Sequence, residues 1–362
     1  MQNWTIDAPK GANLLRDFMT EIPVNCLFNK KKTGCGATEL AIRNSIPTLI
    51  AMPYVALVKN KTVCRTDDIE VLGVYEDITE WDITQFARTH SSLKIATTYD
   101  SLPRVVSALQ SIGIDPYKEL FLLVDEWHVL FNSYSFRHNA IKNLLAEAAK
   151  FDKATYMTAT PIEREYMLEE LRHLPTCEID WPDLTEVKVR SRQTNNPDKY
   201  IVSECVKVLR DELPYNLHIF VNSVEFIAKV IDTLKLAPEA VKVVCSTSGE
   251  SRQENQRKLG NAYPIGQPSD PAKKINFYTS TCFEGCDIFD PDGVTFIVSD
   301  GRKAHTLLDI STLFTQICGR IRDSRYKAQI VHVYSTTKYS KAVTLDEFVA
   351  ATQRTLADAE SW

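Results

Sequence analysis

Short, nearly continuous apolar runs recur along the chain, each followed by a polar or glycine-containing turn and then by a helical pattern. Such runs fit strands buried on both faces of a sheet, whereas strict alternation marks a half-solvated one. In the first half they lie at 22–28, 48–53 (TLIAMP), 93–98, 120–124 and 154–157. Helices are predicted to start near Ala37, to cover 55–61 and 102–109, and to resume at Ile162 behind Pro161. The hydroxyls and acid of TTYDSL (97–102) are suited to cap the helix that follows them.

Between 174 and 199 the pattern loosens, with Pro175, Pro182, Pro197 and the polar run SRQTNNPDK. This predicts a boundary between domains at 1–180 and 181–362, the second opening with a strand at 186–190. Further strands are predicted at 217–221, 241–245, 275–279, 294–299 and 330–334. Helices are predicted at 226–234 behind an Ser223 N-cap, in part of 252–263, at 307–321, and after a capping box Thr344-x-x-Glu347. Strand and helix alternate through both halves, which predicts an α/β protein: two tandem, mostly parallel sheets, each flanked by helices.

Composition narrows the classes. With 362 residues the chain is long enough for two domains that each bury a core. No apolar run reaches bilayer length, and residues 1–15 have neither the basic start nor the apolar centre of a secretion signal, so a cytoplasmic protein with no membrane partner is expected. A net charge of −5 excludes a polycation that coats nucleic acid indiscriminately, but not a local basic groove. The nine cysteines include no C-x-x-C spacing. Cys282 and Cys286 are the nearest pair and lack a second ligand pair, so neither disulfides nor a zinc site is expected.

Two stretches carry the candidate chemistry. Residues 29–40, NKKKTGCGATEL, lie where an apolar run turns into a helix. Gly34 and Gly36 allow close backbone approach, and the helix start aims free N–H groups at an anion. This is the logic of a phosphate-binding loop, yet the pattern G-x-x-x-x-G-K-[ST] would run from Lys31 to Thr38 and its lysine position holds Ala37. Alone, the stretch is equally a plain tight turn. The second stretch, Asp125-Glu126-Trp127-His128, follows a fully apolar run, and acids at the carboxyl end of a central parallel strand lie where such sheets bind ligands. Two carboxylates there suit a magnesium site with a neighbouring base; a helix-start acid pair is the bland alternative.

TGCGAT at 33–38, VDEWH at 124–128, TATP at 158–161, TSTCFEGCDI at 279–288 and QICGRIR at 316–322 resemble motifs I, II, III, V and VI of superfamily 2 helicases, in order and spacing. TLIAMP at 48–53, ATTYDSL at 96–102 and IFVNS at 219–223 are similar to motifs Ia, Ib and IV. The resemblance spans nearly the whole chain; DEWH resembles the DEAD/DEAH-type box, GRIR the form in some viral and origin-binding helicases, and a phage or mobile-element helicase fits so compact a chain. It implies two RecA-like domains with ATP between them and a motor on single-stranded DNA or RNA. It further implies that Thr33, Gly34, Cys35, Gly36, Ala37 and Thr38 line the ATP phosphates, with Gly285 and Asp287 also at the nucleotide. Thr38 and Asp125 would hold Mg2+, Glu126 would orient or deprotonate water, and Gln316, Arg320 and Arg322 would reach the γ-phosphate. His128, Thr158 and Thr160 would couple the nucleotide to the strand, which Pro53, Thr97, Thr98, Asn222, Ser223 and Thr281 would contact.

Each role has a plainer competitor: His128 as a satisfied core histidine, Arg320 and Arg322 as helix-end cations, Thr97, Thr98, Ser223 and Thr281 as caps, and Glu284 and Asp287 as loop-ordering or exposed acids. The chain departs from the family at three points. Ala37 replaces the lysine, Asp323 stands where many members have the second arginine of motif VI, leaving Arg322 or Arg325 to complete the pair, and no adenine-reading motif precedes the loop. One of Lys30, Lys31 and Lys32, most directly Lys32, is expected to replace the missing charge; a solvated basic run is the alternative. Three functions are open: a nucleic-acid-dependent ATPase; a catalytically weak helicase-like scaffold; and a nucleotide-dependent assembly factor without nucleic acid, which the acidic net charge allows but no motif favours. A chain filled by its two core domains is expected to take specificity from a protein partner or from surface loops.

Overall fold

The computed structural model describes residues 2–62, 69–132, 134–183, 187–247, 249–336 and 344–360. The chain divides into two compact units, Met1–Thr185 and Glu186–Trp362, each built on one parallel sheet.

The first unit has eight strands: β1 (Trp4–Asp7), β2 (Leu27–Asn29), β3 (Thr48–Met52), β4 (Leu72–Val74), β5 (Lys94–Thr98), β6 (Phe121–Asp125), β7 (Ala154–Thr158) and β8 (Thr176–Asp180). Their order across the sheet is β1-β8-β2-β7-β6-β3-β5-β4. Successive side chains point to opposite faces. On β3, Leu49 and Ala51 enter one core while Ile50 and Met52 enter the other; on β6, Leu122 and Val124 separate in the same way from Phe121 and Leu123. Both faces are covered, which is why these strands read as unbroken apolar runs. Leu123 is fully buried at the sheet centre, so Leu123→Ala should cost about 2–5 kcal/mol of stability, measured by urea unfolding of the whole chain.

The second unit has β9 (Lys188–Gln193), β10 (Asn216–Phe220), β11 (Val241–Val244), β12 (Ile275–Tyr278), β13 (Gly293–Asp300) and β14 (Gln329–Ser335), in the order β11-β12-β10-β13-β14-β9. Leu217, Ile219 and Phe277 fill one face, and Phe220, Tyr278 and Ile297 the other. At the end of β13, the Asp300 carboxylate accepts bonds from Arg302 (Nε 2.9 Å, Nη2 3.0 Å) and from Ser335 Oγ at 2.6 Å. The Arg302 guanidinium, followed by Ser335, outweighs burial and holds Asp300 down at about 2, against the ordinary 3.8. A lowered acid stabilises the fold above its unfolded value and loses that contribution as pH falls through the folded one. The thermal advantage of the wild type over Asp300→Asn should therefore be intact above about pH 4 and vanish between pH 4 and pH 2.

Several expectations need correction. The run at 22–28 forms only the three-residue β2, because Pro23 and Asn25, the latter at φ 55°, turn the chain until Leu27. No helix starts at Ile162; two 3₁₀ turns, Arg164–Tyr166 and Glu169–Leu171, follow instead. The helix expected at 307–321 is broken into a wide π-type turn, Ile310–Phe314, and one α-turn, Thr315–Cys318, ending at Gly319. A 3₁₀ turn, Tyr99–Ser101, precedes the helix Leu102–Ser111, whose first N–H groups receive no side-chain cap. Of the strand expected at 186–190, Glu186 lies outside the described residues, and β9 runs on to Gln193. The expected Ser223 cap forms, its Oγ accepting from Phe226 N at 3.2 Å, as does the capping box between Thr344 and Glu347.

Candidate nucleotide site

In the first unit the sheet order places β7 between β2 and β6, so the carboxyl ends of three adjacent strands bring together residues distant in sequence. β2 leads into the glycine loop, β6 ends at Asp125 and Glu126, and β7 ends at Thr158. Backbone bonds tie the three ends: Lys30 N donates to Thr158 O at 2.9 Å, and Trp127 N to Met157 O at 3.2 Å.

The loop turns through Gly34 (φ 65°) and Gly36 (φ 77°), and the helix Ala37–Arg43 starts directly after it. These positive φ values are what glycine permits and other residues resist. Thr33 is half-buried, Cys35 and Ala37 are buried in the core, and burial, opposed by Lys30, raises the Cys35 thiol and keeps it neutral. Thr38, on the first turn, donates its hydroxyl to Asp125 Oδ2 at 2.8 Å. A hydroxyl and a carboxylate oxygen so close are the hard donors that magnesium takes, with substrate oxygens and water completing its shell. Among the described residues no group of three or more His, Cys, Asp and Glu side chains is arranged so that it could hold a metal ion.

Glu126 has a positive φ of 53°, a conformation a non-glycine residue keeps only where its surroundings impose it. Its carboxylate meets the Lys30 ammonium at 3.4 Å through Oε1. Through Oε2 it meets Thr158 Oγ1 and His128 Nδ1, each at 3.5 Å. His128 Nδ1 also lies 2.8 Å from Thr158 Oγ1, and Thr160 N donates to that hydroxyl at 3.1 Å. Acid, histidine and both threonines thus form one buried network. Tyr99 OH supports it from below, donating to Asp125 O at 2.6 Å.

The three lysines part company. Lys30 is 6% exposed, and its ammonium lies 3.5 Å from Asp125 Oδ1 and 3.4 Å from Glu126 Oε1. Burial would strip its proton, but Glu126 and then Asp125 outweigh burial and hold it above the ordinary lysine range. Lys31 pairs with Glu178 at 2.8 Å. Lys32, the residue the sequence favoured, instead lies over the Trp181 ring at 4.7 Å and donates to Asn13 Oδ1 at 3.3 Å. Lys31 turns through φ 51°, between Lys30, directly after β2, and Lys32 in the loop.

Pro53, Thr97 and Thr98 are buried. Thr97 Oγ1 bonds Val74 O at 3.3 Å and Thr98 Oγ1 bonds Ser101 Oγ at 3.0 Å, so both threonines have structural partners at the carboxyl end of β5.

In the second unit Gln316 and Arg320 are buried together. Arg320 donates Nε to Gln316 O at 2.8 Å, Nη2 to Gln316 Oε1 at 3.0 Å and Nη1 to Cys286 O at 3.3 Å. The segments at 279–288 and 316–322 are stitched by Ile288 N to Arg320 O and Arg322 N to Ile288 O, both 3.0 Å. Arg322 pairs with Asp287 at 2.6 Å, and Gly285 turns the loop at φ 71°. Asp323, in the departing position, caps Asp290 N at 2.8 Å, while Arg325 pairs with Asp292 and is largely exposed. Glu284 is buried rather than exposed. Asn222 accepts from Ser280 N at 3.4 Å, and Thr281 lies on the exposed start of that loop, its Oγ1 3.4 Å from that of Thr279.

No protein-family model matches the chain, and no curated protein matches it significantly. Solved structures do. The Mycobacterium smegmatis helicase Lhr, bound to ssDNA and AMP-PNP, has a TM-score of 0.55 at 13% identity; the match covers 87% of this chain but only 44% of Lhr, so the chain spans less than half that relative. S. cerevisiae Dbp5, bound to RNA and ADP BeF3, has a TM-score of 0.54 at 14% identity, covering 87% of this chain and 80% of that one. The DEAD-box helicase Mss116, bound to ssRNA and UDP-BeF, has a TM-score of 0.55 at 13% identity, covering 86% and 66%. Two parallel α/β sheets in tandem, with a glycine loop after β2 and paired acids after β6, give this chain a tandem RecA-like fold similar to that of these helicases.

Proposed function

We propose that the protein is a nucleic-acid-dependent ATPase that translocates on or unwinds DNA or RNA. The observation that carries this reading is the buried network of Asp125, Glu126, His128, Thr158 and Thr38 at three adjacent strand ends. Phosphoryl transfer to water needs positioning and charge neutralisation more than covalent chemistry. The loop N–H groups of residues 33–38 would grip the phosphates. Thr38 and Asp125 would hold Mg2+, which supplies charge neutralisation at the β- and γ-oxygens. Glu126 takes the proton of the attacking water, whose oxygen bonds to the γ-phosphorus as the bond to the ADP oxygen breaks, leaving ADP and phosphate. By their resemblance to motif VI, Gln316, Arg320 and Arg322 are proposed to act on the developing γ-phosphate charge. Through His128, the nucleotide state reaches Thr158 and Thr160. Likeness to helicases whose structures contain ssDNA or RNA supports a single strand as the partner. No helix of the described residues is long and apolar enough to cross a membrane.

Ala37 favours a second reading, a helicase-like scaffold that binds strand and nucleotide but turns over poorly. Fluorescence anisotropy of labelled single-stranded DNA and RNA, with no nucleotide, with ADP and with a non-hydrolysable ATP analogue, tests the coupling both readings share. Affinity should differ at least about fivefold between nucleotide states. Equal affinity in all three, or no binding, would contradict the proposal.

A further inference from the structure

We infer that Lys30, at the end of β2 and ahead of the glycine loop, is the phosphate-binding lysine of this site and takes the part that Ala37 cannot play from the helix start. The inference rests on the ATPase reading above and names a residue for it. Lys30 is the lysine of the triple run whose ammonium reaches both acids, at 3.5 Å and 3.4 Å, while Lys31 is engaged by Glu178 and Lys32 by Trp181 and Asn13. Its backbone is fixed on both sides: N–H to Thr158 O at 2.9 Å, and C=O from Trp181 Nε1 at 2.8 Å. The flexible four-carbon stem therefore swings from a set origin.

An ammonium is costly to bury, and this one is placed between the two carboxylates that phosphoryl transfer uses. Asp125, which bonds both Lys30 and the Thr38 hydroxyl, is also the carboxylate proposed for Mg2+. Lys30 thus neutralises the acid pair. With ATP bound, Lys30 would turn its N–H donors to the β- and γ-phosphate oxygens, as a point charge needs no fixed fork geometry, and Asp125 and Thr38 would remain as the residues to hold Mg2+. Ala37 lies within the buried core at the first residue of the helix, where no cation is needed once one arrives from β2.

The test compares wild type, Lys30→Met, Lys32→Met, Ala37→Lys and the double variant Lys30→Met/Ala37→Lys. Each is assayed for ATP turnover with a single strand, beside Glu126→Gln, and for equilibrium affinity for a fluorescent ATP analogue with Mg2+. Lys30→Met should lower turnover about 10²-fold or more and weaken nucleotide affinity about tenfold or more. The double variant should recover at least about tenfold of the lost turnover, which loss of folding alone would not allow. Turnover within threefold of wild type in Lys30→Met, loss without recovery in the double variant, or a loss confined to Lys32→Met would each overturn the assignment. If wild type does not exceed Glu126→Gln, the ATPase reading fails separately. Lys30 is then judged by affinity, and equal binding by wild type and Lys30→Met overturns it.

Discussion

Glu126→Gln should lower single-strand-stimulated ATP turnover by about 10²–10⁴-fold, the range that a positioned general base contributes. The change is nearly isosteric; it removes the ability to accept a proton together with one of the two negative charges beside Lys30, leaving Asp125 as its ionic partner. Glu126 has its position imposed by backbone at φ 53°, and its carboxylate is held among Lys30, Thr158 and His128 at 3.4–3.5 Å. Gln keeps one oxygen for Lys30 or Thr158, so nucleotide affinity should stay within a few-fold. Single-turnover hydrolysis and titration with a fluorescent ATP analogue separate the two effects. Turnover within threefold of wild type would remove Glu126 from the role of base.

On the role proposed for it, Arg320→Ala should lower turnover about 10³-fold or more, the contribution of an arginine that meets transferring phosphate. It should also affect its own unit. Arg320 satisfies Gln316 O, Gln316 Oε1 and Cys286 O, and a buried acceptor left unpaired costs about 1–3 kcal/mol. Urea unfolding should therefore show a weaker second unit. Arg322→Ala, at a partly exposed pair with Asp287, should unfold as wild type does and lose less turnover. Equal turnover in Arg320→Ala and wild type would leave Arg320 a structural cation only.

The fold was legible wherever a strand is buried on both faces. β3, β6 and β13 appear in the sequence as unbroken apolar runs because each face of the sheet has its own core. β1 was not legible: at the edge of the sheet its WTID pattern is mostly exposed, and pairing with β8 along the backbone holds it there. β8 escaped notice because its TCEID alternates, and β4 because three residues carry too little pattern. Asp125, Glu126 and Thr38 are legible as candidates because their spacing from strand ends and glycines is local. The motif pattern counts positions inside the loop and so points to Lys32, whereas the position of Lys30 directly after β2 depends on where that strand stops. That information was present in the apolar run stopping at Asn29, directly before Lys30. Tyr99 beneath the acids and Trp181 behind the loop depend on long-range packing that no local spacing reveals.

The most direct measurement of the central claim is steady-state phosphate release from ATP and Mg2+ by the wild-type chain, with and without single-stranded DNA or RNA. A nucleic-acid-dependent ATPase should show turnover above the Glu126→Gln background that rises at least severalfold when one of the strands is added. Turnover that stays at that background with every strand tried would contradict it.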